Sequence, residues 1–224
     1  MDEPTVIPPG GGEIIGDSAD RRVEILCDDD AMHVTWSRFG PGRDGADLHI
    51  HRLHTDLFYV LEGVLTVRLG VEGEAIPVPA GTLARVPPLV VHGFRNASAD
   101  AELRYLNIHA PGAGFAAYMR GLRDKAPVDF DQEEPPAEGT RPTSDAVVGG
   151  GAEIEAIAVT EASGDPAAPA DTGRLRALYV LEGELAVGER RAPAGSWIRI
   201  PPGSPSDLEA VEPARWLDLR APVR

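Results

Sequence analysis

Histidines and one carboxylate are the residues in this sequence whose types and spacing best fit metal chemistry. His49 and His51 are two residues apart, so on a strand both imidazoles point to one face. Asp56 follows a short stretch that holds His54, and His92 lies on a later predicted strand. Three imidazoles and a carboxylate form a donor set of intermediate hardness, so the sequence predicts one divalent transition metal (Fe, Mn, Ni, Co, Cu or Zn) in the N-terminal half.

The elements that must position these side chains are short strands. Apolar stretches rich in β-branched residues, such as 32–39, 57–61, 65–69 and 83–86, are each bounded by Gly or Pro. The chain has 25 Gly and 21 Pro, which is typical of a fold with many turns. Residues 114–123 have apolar side chains at helical spacing and predict a helix.

An internal repeat organises the chain. Residues 59–63 (YVLEG) recur as 179–183, and residues 104–111 resemble 215–222. The segment between the copies is acidic, Pro-rich and poor in large apolar residues, which favours an exposed linker. We therefore expect an all-β protein of two tandem jelly-roll barrels. The expected boundaries are 1–123 for a metal-binding domain, 124–145 for the linker and 146–224 for a second domain without metal ligands.

The two segments that carry the histidines resemble the two motifs of the cupin family. Residues 45–63 are similar to G-x5-H-x-H-x3-4-E-x6-G, with three residues rather than five before His49 and with Asp56 in place of Glu. Residues 81–96 are similar to G-x5-P-x-G-x2-H-x3-N, with Leu89 in place of the second Gly. The resemblance covers both copies and implies a bicupin. It assigns a metal role to His49, His51 and His92.

The replacement of Glu by Asp leaves the fourth ligand open. An Asp oxygen falls short of the Glu position by roughly 1.5 Å unless the strand shifts. Either Asp56 completes the metal site, or His54 or a water takes its place. The alternative to metal binding is that these polar residues satisfy one another by hydrogen bonds within the mouth of the barrel.

The second copy lacks the ligands. By its registers Pro169 stands opposite His49, Asp171 opposite His51, Arg176 opposite Asp56 and Ser206 opposite His92. Such a set has too few imidazole donors for a transition metal, so we expect a structural lobe or at most a binding surface.

Charge and composition limit the partners. The formal net charge is −15, which disfavours nucleic acid and anionic membrane surfaces, and no apolar run is long enough to span a membrane. Residues 1–4 have no features of a secretory signal, and Cys27 is the single cysteine, so we expect a cytoplasmic protein without internal disulfides. Monomer and homodimer are both compatible with a bicupin.

Apolar side chains beside the histidines indicate a small-molecule substrate that is flat or hydrophobic. The residues expected to line its pocket are Trp36, Phe58, Val60, Phe94 and Tyr105. The leading hypothesis is a dioxygenase of the kind found in quercetinase-like bicupins, with Asp56 as ligand or catalytic base. The alternatives are a metal-dependent isomerase or lyase and a non-catalytic small-molecule-binding cupin. His33 and His109 are weaker candidates, as pocket acid/base groups or as partners of a ligand.

Overall fold

The computed structural model describes residues 3–150, 152–154 (backbone only), 157–167, 173–204 and 207–223. Its residues form two compact units, Ile14–Gly150 (the first unit) and Met1–Glu13 with Gly151–Arg224 (the second unit). Both are built of antiparallel strands with little helix, and the architecture is an all-β jelly roll.

The elements of the described residues are short strands and one α-helix. In chain order they are β1 (Thr5–Ile7), β2 (Glu13–Asp17), β3 (Arg21–Asp28), β4 (His33–Phe39), β5 (Thr55–Glu62), β6 (Val64–Leu69), β7 (Glu74–Pro79), β8 (Leu83–Val86), β9 (His92–Arg95), β10 (Leu103–Ala110), α1 (Phe115–Asp124), a 3-10 turn (Thr143–Asp145), β11 (Val147–Val148), β12 (Ala152–Ile154), β13 (Ile157–Ser163), β14 (Arg174–Glu182), β15 (Glu184–Val187), β16 (Arg190–Pro193), β17 (Trp197–Ile200), β18 (Leu208–Ala210) and β19 (Arg215–Pro222).

The sheet orders of the two units correspond. The first unit has a larger sheet in the order β11-β8-β5-β10-β4-β3-β2 and a smaller one in the order β7-β6-β9. In the second unit the orders are β1-β17-β14-β19-β13-β12 and β16-β15-β18. The pair β5–β10 thus matches β14–β19, which are the strands that contain the repeated sequence. The predicted helix 114–123 is confirmed as α1.

The repeat extends to an irregularity in the central strand pair. The register of β10 on β5 shifts between Arg104 and Tyr105, and that of β19 on β14 shifts between Val180 and Glu182, so Leu61 and Leu181 are the extra residues of two equivalent bulges. Each bulge precedes a glycine with positive φ, +80° at Gly63 and +73° at Gly183. A Cβ on either glycine would clash with a backbone carbonyl of the facing segment.

The contacts group residues differently from the boundaries expected from the sequence. Strand β1 pairs with β17 and so belongs to the second unit. Residues 124–145 are mostly exposed, but they belong to the first unit because Glu133 pairs with Ile50 and Arg141 with Val90. The acidic segment is therefore exposed, as expected, and also pairs with the first unit at Ile50 and Val90.

Each unit has an apolar core of its own, formed by alternate residues of facing strands. The core of the first unit includes Phe58, Val60 and Tyr105, and that of the second includes Val180, Ile198 and Trp216. Within the described part of the chain, no helix has the length and apolar character that a membrane span needs.

Candidate metal centre

Three imidazoles of the first unit meet because of backbone pairing. His49 and His92 form an isolated antiparallel bridge in which each backbone N–H donates to the other's carbonyl, at 2.8 and 3.0 Å. His51 lies two residues beyond His49 on the same face, and the Nε2 atoms of these two rings are 3.1 Å apart. The antiparallel bridge thus brings together imidazole rings that are far apart in the sequence.

The other ring nitrogen of each imidazole faces a backbone carbonyl. His49 Nδ1 lies 2.6 Å from the oxygen of Asp47, and His92 Nδ1 lies 3.0 Å from the oxygen of Val90. His51 Nδ1 contacts the oxygen of Asp131. A carbonyl can only accept a hydrogen bond, so each Nδ1 carries the proton and each Nε2 keeps its lone pair. This arrangement fixes the tautomer that a metal ligand needs.

Asp56 directs one carboxylate oxygen at the three imidazoles. Its Oδ2 lies 3.3 Å from His92 Nε2 and 3.9 Å from His51 Nε2. The other oxygen, Oδ1, accepts a hydrogen bond from Asn107 Nδ2 and lies 3.3 Å from His109 Nε2. Burial raises the pKa of Asp56, but the contact with His109 outweighs burial, and the pKa stays well below its ordinary value. The carboxylate is therefore ionised.

Together these atoms form a set that fits a divalent cation. Three nitrogen lone pairs and an anionic oxygen lie within 4.8 Å of one another and are almost fully buried. Lone pairs that converge without a proton between them repel, and a cation at their centre removes that repulsion. The donors are three nitrogens and one oxygen, which suits a first-row transition metal. We call His49, His51, Asp56 and His92 the first cluster.

The remaining histidines of the first unit adjoin this cluster. His54 is fully buried, and its Nδ1 lies 3.0 Å from Asp131 Oδ2 without hydrogen-bond geometry. His109 is the partner of Asp56 already described. His33 packs on His109 with ring centroids 6.1 Å apart and on Phe115 at 4.9 Å, and neither of its nitrogens has a hydrogen-bond partner.

Burial keeps several of these imidazoles neutral. It lowers the pKa of His49 to about 4, and the neighbouring His92 acts in the same direction. It also lowers the pKa of His54 to about 3, with His109 adding to the effect. For His51, burial and then His54 hold the pKa far below its ordinary value. Neutral imidazoles are the form that binds a metal.

The segment read from the sequence as a linker contributes to the centre. Both carboxylate oxygens of Asp131 accept backbone N–H bonds, at 2.8 Å from Arg52 and 2.7 Å from Leu53. Phe130 packs against the rings of His51 and His54, with centroids 5.7 and 5.3 Å apart. These contacts clamp the turn between the ligands. Sequence reasoning missed Asp131 because no pattern shows where the acidic segment folds back.

Asn107 was missed as well. It lies on β10, two residues before His109 and on the same face, and the β5–β10 register sets His109 opposite Asp56. Only that register shows that an amide and an imidazole of β10 hold one oxygen of Asp56. The Asn-x-His spacing was the available indication, but alone it does not identify the facing strand.

A cavity of about 340 Å³ opens beside the first cluster. His49, His51 and Asp56 line it, as do Phe94 and Tyr105 among the expected pocket residues. The other expected pocket residues do not. Phe58 and Val60 pack in the core. Trp36 lies between Thr35 and Ser37, which do face the cavity, so the alternation of the strand turns it to the other face. Phe39, Phe115, Tyr118 and Met119 add apolar lining.

Leu89 occupies a glycine position of the second motif. Its φ is +68°, in the left-handed region that disfavours side chains, and its N–H donates to His51 O at 2.8 Å. The matching position of the second unit is Gly203, with φ +71°. Both copies therefore have a left-handed residue at this position.

In the second unit, ion pairs replace the equivalent of this centre. Arg176, opposite Asp56 in the repeat, contacts Asp218 Oδ2 through Nη2 at 2.6 Å, and Arg220 Nε lies 2.9 Å from Asp218 Oδ1. Burial raises the pKa of Asp218, but hydrogen bonds from Arg220 and Arg176 lower it below its ordinary value. The other equivalents, Pro169, Asp171 and Ser206, lie outside the described residues.

Comparison with known proteins identifies one domain of the chain. Residues 35–109 match the Cupin_2 family model, a cupin domain. Over 123 residues the chain is 31% identical to quercetin 2,3-dioxygenase of Bacillus subtilis (strain 168), an alignment that covers 54% of this chain and 35% of that enzyme. The chain thus spans only about a third of the length of that relative. Residues 35–109 therefore contain a cupin domain.

Solved structures share the fold over nearly the whole chain. The nickel(II) complex of bacterial pirin YhhW from Escherichia coli superposes with a TM-score of 0.66 at 12% identity, covering 99% of this chain and 100% of that one. Oxalate decarboxylase of Lactobacillus farciminis, in its formate complex, gives 0.60 at 12% identity, covering 99% and 86%. At this identity the likeness concerns the fold alone.

Proposed function

We propose that this protein is a bicupin with one metal centre and that it acts as a metal-dependent dioxygenase on a small, largely apolar organic substrate. The observation that carries the proposal is the convergence of three imidazole Nε2 atoms and Asp56 Oδ2 beside a cavity of about 340 Å³. The similarity to quercetin 2,3-dioxygenase supports the oxygenase class.

The first cluster would hold the ion. A divalent transition metal bound there supplies a Lewis-acidic, redox-active centre for reaction of an organic substrate with O2. His49, His51 and His92 present lone pairs of fixed direction because their Nδ1 atoms donate to carbonyls.

Asp56 can also act as a base toward the substrate. Asn107 and His109 hold its Oδ1, so Oδ2 keeps its free lone pairs on the side of the cavity and the imidazoles. An ionised carboxylate in that position can accept the proton of a substrate hydroxyl. The low pKa of Asp56 makes it a weak base in the free protein, so it can accept a proton only from a hydroxyl that is more acidic than an ordinary alcohol, such as an enol.

The cavity walls select the substrate. Phe94 and Tyr105 pack together with ring centroids 5.9 Å apart, and Phe115 and Tyr118 of α1 add two further rings. Burial raises the pKa of Tyr105, so its phenol stays neutral. Aromatic walls favour a flat, largely apolar molecule. Two cationic side chains, Arg21 and Arg43, also line the cavity.

Oxygen uptake tests the proposal. Metal-loaded full-length protein is incubated with quercetin, as a flavonol probe, in an oxygen electrode, and the products are analysed by mass spectrometry. We expect O2 consumption that depends on the metal and on His92, with atoms from O2 in the product. His33→Gln, which changes a buried imidazole outside the first cluster, is the matched control and should retain the activity.

The same experiment separates the alternatives. Turnover that proceeds equally well without O2 would make the protein an isomerase or lyase. A rise in melting temperature with quercetin but no product would make it a binding protein. Either result would overturn the dioxygenase proposal.

A further inference from the structure

A second group of imidazoles lies next to the first cluster. His51, His54 and His109 each offer a ligand atom, and these atoms lie within 4.8 Å of one another. All three side chains are buried, with at most 2% of each residue exposed. We call these residues the second cluster. It shares His51 with the first cluster and contains no carboxylate.

Its nitrogens lack the partners that buried polar atoms normally have. Neither nitrogen of His54 forms a hydrogen bond, and Nδ1 of His109 has no partner either. His109 Nε2 is engaged by Asp56 Oδ1, so Nδ1 is the nitrogen with a free lone pair. Buried polar groups of folded proteins are almost always satisfied, and a bound ion is one explanation for those that are not.

A carboxylate lies beside this cluster. Asp131 Oδ2 is 3.0 Å from His54 Nδ1, and the backbone N–H bonds from Arg52 and Leu53 fix the Asp131 carboxylate in place. A carboxylate next to a ligating histidine orients the ring and increases its basicity. Asp131 thus places a fixed negative charge next to His54, which increases the basicity of the imidazole although no hydrogen bond joins the two groups.

We propose that His51, His54 and His109 form a second position for a divalent transition metal ion. The inference rests on the proposed metal centre, because the two positions share His51. Its Nδ1 donates to the carbonyl of Asp131, so Nε2 is its one donor atom, and one lone pair binds one ion. The two positions therefore exclude each other, and a chain holds one ion at a time.

The donor sets differ in charge. The first position has three imidazoles and an anionic oxygen, whereas the second has three neutral imidazoles. The first therefore binds a divalent ion more tightly, and the second favours ions that prefer nitrogen, such as Co2+, Ni2+, Cu2+ and Zn2+. The second position is occupied when the first is disabled.

Metal titration of full-length variants tests this. Chelator-treated wild type, His49→Ala/His92→Ala, His54→Ala, His51→Ala and the triple variant His49→Ala/His54→Ala/His92→Ala are titrated with Co2+. Stoichiometry is read by elemental mass spectrometry, affinity by chelator competition and ligand geometry by the visible spectrum. Circular dichroism checks each fold, His49→Gln/His92→Gln replaces a double variant that does not fold, and His33→Gln is the buried-imidazole control.

We expect one ion in wild type, in His54→Ala and in His33→Gln. The double variant should bind one ion at least tenfold more weakly with a changed spectrum, and His51→Ala and the triple variant should bind none. A folded double variant without metal would overturn the second position and leave the first intact. Two ions in wild type would overturn mutual exclusion. Wild-type affinity and spectrum in the double variant would overturn the first centre itself.

Discussion

The two units contain the same pair of central strands, but the buried polar side chains on these strands differ. In the first unit, β5 and β10 bring Asp56 opposite His109, and the neighbouring imidazoles leave lone pairs pointing at one another. In the second unit, β14 and β19 bring Arg176 opposite Arg220, and Asp218 pairs with both. The first interior offers converging lone pairs that a cation would satisfy, and the second contains its own cationic side chains.

This difference shows where function resides in a duplicated fold. The sheet orders and the central bulge are common to both units, so the scaffold does not decide which unit binds metal. A few positions on two strands decide it. In the second unit, an arginine at the place of Asp56 supplies the positive charge that the proposed metal ion would supply in the first unit.

Removal of Asp218 should produce the largest change in stability. Asp218→Ala leaves the buried guanidinium of Arg176 without its anion, and we expect a loss of about 3 kcal/mol in the free energy of unfolding, measured by denaturant titration. Metal affinity should not change. Glu182→Ala, which removes an exposed partner of Arg215, is the control and should cost less than about 1 kcal/mol. Equal effects of the two changes would contradict the comparison.

Acid should weaken the first unit before the second. Folding keeps His49 and His54 neutral, with pKa values of about 4 and about 3, whereas in the unfolded chain they take up protons below about pH 6.5. The unfolded state then binds more protons. The contribution of these two histidines to the free energy of unfolding is therefore constant above that pH and falls below it. Without metal, we expect a loss of at least about 2 kcal/mol between pH 7 and pH 5.

Hydrogen exchange read by mass spectrometry can assign this loss to a unit. All six histidines lie between residues 33 and 109, so peptides of the first unit should lose protection on acidification. Peptides around Asp218 should lose protection only below about pH 4. At that pH the carboxyl begins to take up a proton in the unfolded chain, whereas its lowered pKa keeps it ionised in the folded protein. His49→Gln/His54→Gln should flatten the dependence. If the protection of the first unit in the metal-free protein were unchanged from pH 7 to pH 5, the predicted acid sensitivity would be wrong.

Asn107 should act on the metal through Asp56. Asn107→Ala removes a donor to Oδ1 and frees the carboxylate to rotate, so we expect metal affinity to fall about tenfold to a hundredfold, measured by chelator competition. Asn107→Asp, which imitates Asp218 of the second unit, should weaken binding further because it places a second negative charge against Asp56. Partial recovery in Asn107→Gln would distinguish positioning from simple loss of packing.

The smallest expected effect concerns the turn at Leu89. Leu89→Gly restores the residue that the second unit has at Gly203, and relief of the left-handed strain should stabilise the protein by about 1 kcal/mol. Gly203→Ala, its counterpart, should destabilise by a similar amount. Thermal unfolding checks both. A loss of stability in Leu89→Gly would show that packing of the leucine side chain outweighs the backbone strain.

Patterns along the chain predicted the fold and the approach of the ligands. Alternation and turn residues placed the strands, and the repeat aligned Arg176 with Asp56. The same arguments did not predict which face of β4 points to the cavity. Alternation shows that Trp36 lies on the opposite face from its neighbours in the strand, but not which of the two faces lines the cavity. Asn107 and Asp131 depended on strand register and on a fold-back of the acidic segment, which are long-range contacts that no local spacing encodes.

Metal content per chain tests the central claim most directly. Full-length protein purified without a metal-affinity tag is analysed by elemental mass spectrometry beside His51→Ala, the variant that removes the imidazole shared by both clusters. We expect about one transition metal ion per wild-type chain and less than about a tenth of that in the variant. Equal metal in both proteins, or none in either after reconstitution, would contradict a metal centre in the first unit.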